Sequence, residues 1–211
     1  MYEKWLWQQV KNGVKVEHIA IILDGNRRWA SEKELNPWLG HKQGAETVEN
    51  LLDWCLKLNV KFVTLYTFST ENFTRTLKEI EEIMSIAEEK FRKLLTDDRI
   101  HRNKVHVKVI GRTNMLPEGL QQLISDVEKA TATYDNQFLN FAFAYGGRAE
   151  IVDAARVIAE KVKAGELEPA DIHESTFEKY LYTAHMEKQE PDLIIRTSGE
   201  ERLSGFLLLL C

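Results

Sequence analysis

Short apolar runs rich in β-branched and aromatic residues alternate with amphipathic helical stretches along most of the chain. His18 to Leu23 is the first run. Residues 40–58 follow with a helical pattern, in which Val48, Leu51, Leu52, Cys55, Leu56 and Leu58 recur at helical spacing. Lys61 to Phe68 reads as a second strand, and residues 77–96 as a charged helix with Ile80, Ile83, Met84, Ala87, Phe91, Leu94 and Leu95 on one face. Strands over 105–110 and 138–145 are each followed by a helix, over 117–132 and 148–162. A shorter helix over 175–182, a strand over 192–195 and an apolar run over 206–210 complete the pattern. Such alternation predicts an α/β fold: one domain over residues 1–211, with a mostly parallel central sheet of about six strands and helices on both faces.

The chain has 211 residues, 44% apolar and 29% charged, a composition that suits a globular domain with a full core. A net charge of -5 argues against a nucleic-acid partner. Its two cysteines show no metal-ligand spacing and no disulfide framework. No signal-peptide pattern stands at the N-terminus, and no apolar run is long enough to span a bilayer, so a cytoplasmic location is expected. Residues 1–16 form an amphipathic segment, with Tyr2, Trp5, Leu6 and Val10 near one helical face and Trp7 off it. That segment reads first as a helix packed on the domain, and otherwise as a peripheral contact with a bilayer or an apolar substrate.

In open parallel sheets, ligands sit beyond the carboxyl ends of the strands. After the first strand come Asp24, Gly25, Asn26, Arg27, Arg28 and Trp29. Gly25 allows close approach of the backbone, a helix opening here offers free N–H groups, and the arginines can grip phosphate oxygens in pairs. A carboxylate beside an anion site is repulsive unless a cation lies between them, so Asp24 implies Mg²⁺ bridging to a diphosphate. By itself, Asp-Gly-Asn also reads as a plain turn. After the second strand, Ser69, Thr70, Glu71, Asn72, Phe73 and Arg75 offer hydrogen bonds and a further cation, or a helix cap. Tyr145-Gly-Gly-Arg148 reads as a tight turn into a helix. Arg196, Thr197, Ser198, Arg202, Leu203 and Ser204 form a second candidate phosphate cradle. His41, after Gly40, either presents an N–H to an anion or caps its helix in solvent. The glutamates at 79, 81, 82, 88 and 89 read as a solvated helix face. Glycine-rich nucleotide signatures are absent, which disfavours an unrelated nucleotide-binding protein.

Taken together, these blocks resemble the cis-prenyltransferase family, the undecaprenyl and dehydrodolichyl diphosphate synthases. The similarity runs through residues 18–30, Gly40-His41-Lys-Gln-Gly44, residues 67–75, Tyr145-Gly-Gly-Arg148, residues 192–200 and Arg202-Leu203-Ser204. The resemblance implies Mg²⁺-dependent condensation of isopentenyl diphosphate with an allylic prenyl diphosphate, giving a cis-polyprenyl diphosphate for lipid-carrier synthesis. It also implies a homodimer. Asp24 corresponds to the metal-binding catalytic aspartate. Gly25, Asn26, Arg27, Arg28 and His41 correspond to the allylic diphosphate cradle, with Trp29 as a wall. Asn72 corresponds to the residue often assigned to proton removal, within a substrate-binding block of Ser69, Thr70, Glu71, Phe73 and Arg75. Arg196, Arg202, Leu203 and Ser204 correspond to the isopentenyl diphosphate site. The growing chain is expected in an apolar tunnel lined by the helices over 44–58 and 77–95. Pro37 stands where the family usually has Arg, Phe73 where Trp is common, and Thr76 where Pro is common. The family's usual tail, with a further metal-binding glutamate beyond Cys211, is expected to be absent. Irregular condensation onto another acceptor, or a non-catalytic partner subunit, are the alternative readings.

Overall fold

A computed structural model describes residues 2–210. Five strands form one parallel sheet in the order β3-β4-β2-β1-β5: β1 (His18–Ile22), β2 (Phe62–Ser69), β3 (Val105–Ile110), β4 (Gln137–Tyr145) and β5 (Leu193–Arg196). The helices among the described residues are α1 (Tyr2–Asn12), α2 (Asn26–Glu32), α3 (Pro37–Lys57), α4 (Leu77–Leu94), α5 (Asp98–Arg102), α6 (Glu118–Thr131), α7 (Gly147–Lys163) and α8 (Glu174–Glu178).

Alternation along the strands sorts the core into two layers. Ile19 and Ile21, Val63 and Leu65, Val105, Val107 and Val109, and Leu139 and Phe143 face α3, α4 and α6. Ala20 and Ile22, Tyr66 and Ala142 face the other way, where Ala154 of α7, Leu181, Phe206 and Leu207 cover them. That second face carries a polar rung across three strands. His18 Nε2 lies 2.9 Å from Thr64 Oγ1, Asn140 Nδ2 donates to the same hydroxyl at 3.4 Å, and Asn140 Oδ1 lies 2.8 Å from His185 Nε2. Burial lowers the His18 pKa to about 4, so it stays neutral inside the sheet.

Two expectations change. Residues 206–210 form no strand. Ser204, Gly205 and Leu207 have φ of 52°, 74° and 46°, left-handed values that break an extended run. The segment instead turns back so that Phe206 and Leu207 are fully buried, with the Phe206 ring stacked 4.7 Å from Tyr66. The N-terminal helix forms but is not packed by its apolar stripe: Tyr2, Trp5, Leu6 and Val10 are exposed. Trp7, off that stripe, is half-buried, and the link over residues 12–15 is exposed throughout. No helix among the described residues is long and apolar enough to cross a membrane.

The feature that positions the strand ends is a close contact of α2 with α3. A Cβ on Gly40 would lie 2.0 Å from the Asn26 carbonyl oxygen, and one on Gly44 would lie 2.5 Å from the Asn26 side chain. Glycine at position 40 lets the start of α2 rest on α3, and Gly44, one helical turn on, leaves room for the Asn26 side chain. Gly40→Ala is expected to lose about 1–3 kcal/mol, because the clash is with backbone that cannot rotate away. The midpoint of urea unfolding measures it, and an unchanged midpoint would show that the contact is loose.

Candidate active site

The sheet order places β1 between β2 and β5, so residues far apart in sequence meet at the C-terminal ends of these strands. Gly25, at φ 97°, turns the chain from β1 into α2 and donates its N–H to Asp24 Oδ1 at 2.7 Å. The other oxygen, Oδ2, accepts from Arg196 Nη2 at 2.7 Å, Arg196 Nε at 3.1 Å and Ser198 Oγ at 2.7 Å. Arg28 lies 3.5 Å from the same oxygen, and Thr197 Oγ1 donates to the Asp24 carbonyl at 2.9 Å. Burial works against the charge on Asp24, but the donors from Ser198, Arg196 and Gly25 outweigh it and bring its pKa down to about 2. Arg196 also reaches Ser204 Oγ at 3.0 Å and the Arg202 carbonyl. The loop after β5 is thereby wrapped around one guanidinium.

A second carboxylate organises the opposite wall. Glu79 Oε1 lies 3.0 Å from Arg75 Nη1, 3.3 Å from His41 Nε2 and 3.6 Å from Arg27 Nε. Glu79 is largely buried, unlike the solvated face expected for it. It sits in the first turn of α4, its N–H accepted by the N-cap Thr76 at 3.4 Å. A capping residue followed three positions on by Glu was the available signal, pointing to a helix start rather than a site. His41 is neither a cap nor solvated, because α3 begins at Pro37 and carries His41 into its second turn. Burial lowers its pKa in spite of Glu79, which keeps the imidazole neutral at physiological pH.

Between the two carboxylates lies a polar cavity of about 590 Å³. Its lining includes Asp24, Gly25, Asn26, Arg27, Arg28, Pro37, His41, Asn72 and Arg75. Asn72 Oδ1 accepts the Ser69 N–H at 3.1 Å, closing a reciprocal cap at the turn after β2. A backbone N–H can only donate, so the bonded atom is the oxygen, and the Asn72 NH₂ group remains as a donor. Leu23, Asn26, His41, Thr67 and Ile83 also line an adjoining apolar cavity of about 180 Å³. That second cavity runs between α3 and α4 over the sheet, past Val48, Leu52, Phe91, Phe141 and Phe143.

Several of the sequence-derived residues lie elsewhere. Trp29 does not line the polar cavity. It borders a neighbouring pocket with Gln43, Gly44 and Leu51, under the Lys33 ammonium 4.7 Å from its ring. Thr70 lies beside Gly146, and Glu71 is exposed with its carbonyl bonded to Thr74. Phe73 packs edge-on against Phe68 at 4.9 Å, and Ser69 serves the cap. The Arg202 side chain is exposed beside Glu200, and Leu203 is also exposed. Ser198, named with the second cradle, donates directly to Asp24.

Four guanidinium groups converging on strand ends beside an ionised carboxylate define a site for a polyanion, and the adjoining cavity adds an apolar extension. Comparison with known proteins gives the same class. The prenyltransferase family model, described as undecaprenyl diphosphate synthase, matches residues 22–211. The tritrans,polycis-undecaprenyl-diphosphate synthase (geranylgeranyl-diphosphate specific) of Methanopyrus kandleri is 51% identical over 99% of this chain and 76% of its own length. The enzyme of the same name from Thermococcus kodakarensis is 48% identical over 98% of this chain and 78% of its own. The crystal structure of lavandulyl diphosphate synthase from Lavandula x intermedia, in complex with dimethylallyl diphosphate, superposes with a TM-score of 0.87. It is 37% identical, covering 93% of this chain and 83% of that one. The chain belongs to the undecaprenyl diphosphate synthase family of cis-prenyltransferases.

The depressed pKa of Asp24 makes it a source of acid sensitivity. Its stabilising contribution is complete above the ordinary carboxylate value of 3.8 and is lost as pH falls through about 2. Asp24→Asn is expected to flatten the stability profile between about pH 4 and 2, read from urea midpoints. An unchanged slope in that window would mean that the carboxylate gains nothing from its donors.

Proposed function

We propose that this enzyme extends an allylic prenyl diphosphate with isopentenyl diphosphate to a cis-polyprenyl diphosphate, using geranylgeranyl diphosphate as primer. The observation that carries this reading is the junction at Leu23, Asn26, His41, Thr67 and Ile83. There an arginine-lined cavity opens directly into an apolar one. An allylic diphosphate has the same two-part character. The archaeal relatives that share about half of this sequence support the primer and the regular mode of condensation.

In this reading the allylic diphosphate lies among Asn26, Arg27, Arg28, Arg75 and His41, and isopentenyl diphosphate lies at Arg196 and Ser204. The carbon–oxygen bond of the allylic diphosphate breaks and its diphosphate leaves. The C4 carbon of isopentenyl diphosphate bonds to the allylic carbon. The proton lost from C2 passes to the departing diphosphate. Arginine N–H groups stabilise the charge that develops on that leaving group. Asn72 holds substrate through its NH₂ group and does not take the proton, because its oxygen is committed to Ser69. The hydrocarbon chain extends between α3 and α4, where each buried CH₂-sized group contributes about 0.8 kcal/mol.

Mg²⁺ suits the donor set. Asp24 is an ionised carboxylate at the edge of the cradle, and its Oδ1, bonded to the Gly25 N–H, has a second lone pair to offer. Mg²⁺ characteristically binds through one or two carboxylates, water and substrate phosphate oxygens. Asp24 would hold it, and the metal would supply neutralisation of diphosphate charge. The exposed stripe of α1 supports peripheral contact with the membrane that holds the lipid product, and exposed Leu208 and Leu209 beside the buried tail support a homodimer.

The purified chain is expected to incorporate labelled isopentenyl diphosphate into a polyprenyl product with geranylgeranyl diphosphate and Mg²⁺. Asp24→Ala is expected to lower kcat by about 10²-fold or more while changing primer affinity far less. No product with geranyl, farnesyl or geranylgeranyl diphosphate would overturn the reading. Equal losses of turnover and affinity would remove Asp24 from the chemistry.

A further inference from the structure

The far part of the apolar cavity is bordered by ion pairs. Glu49 of α3 pairs with Lys90 at 2.9 Å and with Lys93 at 2.6 Å, both on α4. One turn further along α3, Asp53 takes Arg99 of α5 at 2.8 Å, and Arg99 is also held at 2.6 Å by Asp97. All six side chains line the cavity whose remaining walls are Val48, Leu52, Leu56, Phe91, Leu94 and other apolar groups. Charged side chains on an apolar wall need a reason, since each loses hydration there. Here they are paired across the seam between α3 and α4–α5, and none is fully buried.

We propose that this ion-pair strap is a length gate, which holds the α3–α4 seam closed over a short prenyl chain and must part before a longer one can leave the cavity. The inference rests on the prenyl-chain reading above. Along α3, Glu49 lies eight residues and Asp53 twelve residues past His41, roughly 12 and 18 Å at the helical rise. A chain growing along α3 from the arginine cradle therefore reaches Glu49 about two turns before Leu56, while Asp53 and Arg99 flank the apolar end at Leu56 and Ile100. An apolar plug would block the chain permanently. Partly exposed ion pairs differ, because separated partners regain water, so each opens at little cost. The strap thus sets a step in the partition between release and further elongation, and does not act as a wall.

The test is the product-length distribution of the full chain with geranylgeranyl diphosphate and labelled isopentenyl diphosphate. The unsubstituted protein is compared with the Glu49→Gln/Asp53→Asn variant, which keeps side-chain size. The ratio of long to short products is expected to rise about two- to fivefold. A charge swap, Glu49→Lys with Lys90→Glu and Lys93→Glu, is expected to return the ratio toward that of the unsubstituted chain. Should either variant fail to fold, the unsubstituted chain is assayed toward 1 M salt, where the screening length of about 3 Å weakens the strap, and the ratio is expected to rise there too. Normal incorporation with an unchanged ratio in the foldable variant, or in high salt, overturns the gate and leaves the prenyltransferase reading standing. No polyprenyl product from the unsubstituted chain overturns both.

Discussion

The carboxylate of Asp24 joins two parts of the chain that are 172 residues apart, the turn after β1 and the end of β5. Their meeting depends on the sheet order, because only a strand adjacent to β1 can deliver Arg196 to it. Asp192 makes the matching link at the other end of β5. Its Oδ2 accepts the N–H groups of Glu17 and His18 at 2.8 and 3.0 Å. β5 is short and half-exposed, with little apolar area to hold it. Polar ties at its two ends supply what the strand lacks in burial. The fold at this edge and the site at its tip therefore rest on the same interactions.

The opposite wall follows the same logic with Glu79. One buried carboxylate oxygen serves two guanidinium groups and a neutral imidazole. Removing it would leave like charges facing each other across the cavity. Such an arrangement suits a site that must take polyanions. Arg75 and Arg196 are held at the cavity by internal counterions. In the proposed reading, an incoming diphosphate would replace one set of charge-assisted acceptors with another.

Much of this was legible in the chain. The parallel sheet followed from apolar runs such as Ile19-Ala-Ile-Ile22, which a parallel strand covered on both faces requires. Asp24, Gly25, Arg27 and Arg28 were legible because a strand end, a turn glycine and two cations fall together. The tail was misread because five consecutive apolar residues suit a strand as well as a buried turn, and only backbone angles at Ser204, Gly205 and Leu207 separate the two. Glu79 was hidden among other glutamates of one helix, and no local pattern reports that its partners come from α2, α3 and the turn after β2. Trp29 carries the opposite lesson. The family resemblance implied a wall of the diphosphate cradle, but successive residues on a helix point about a hundred degrees apart, and Trp29 borders the neighbouring pocket.

The boundary between the two cavities gives the site its direction. On one side are Arg27, Arg28 and Arg75, and on the other Val48, Leu52, Phe91 and Phe141. His41 stands on that boundary, held neutral by burial. A charged imidazole there would extend the cationic field into the hydrocarbon side. Reversing an amphiphilic ligand would place a diphosphate against aromatic and aliphatic walls, where an unpaired charge costs several kcal/mol even after relaxation. It would also leave the arginines facing methyl groups. The proposed orientation, head among the arginines and chain between α3 and α4, is therefore set by two opposed penalties at once. Neither the arginine cradle nor the apolar cavity alone would impose it.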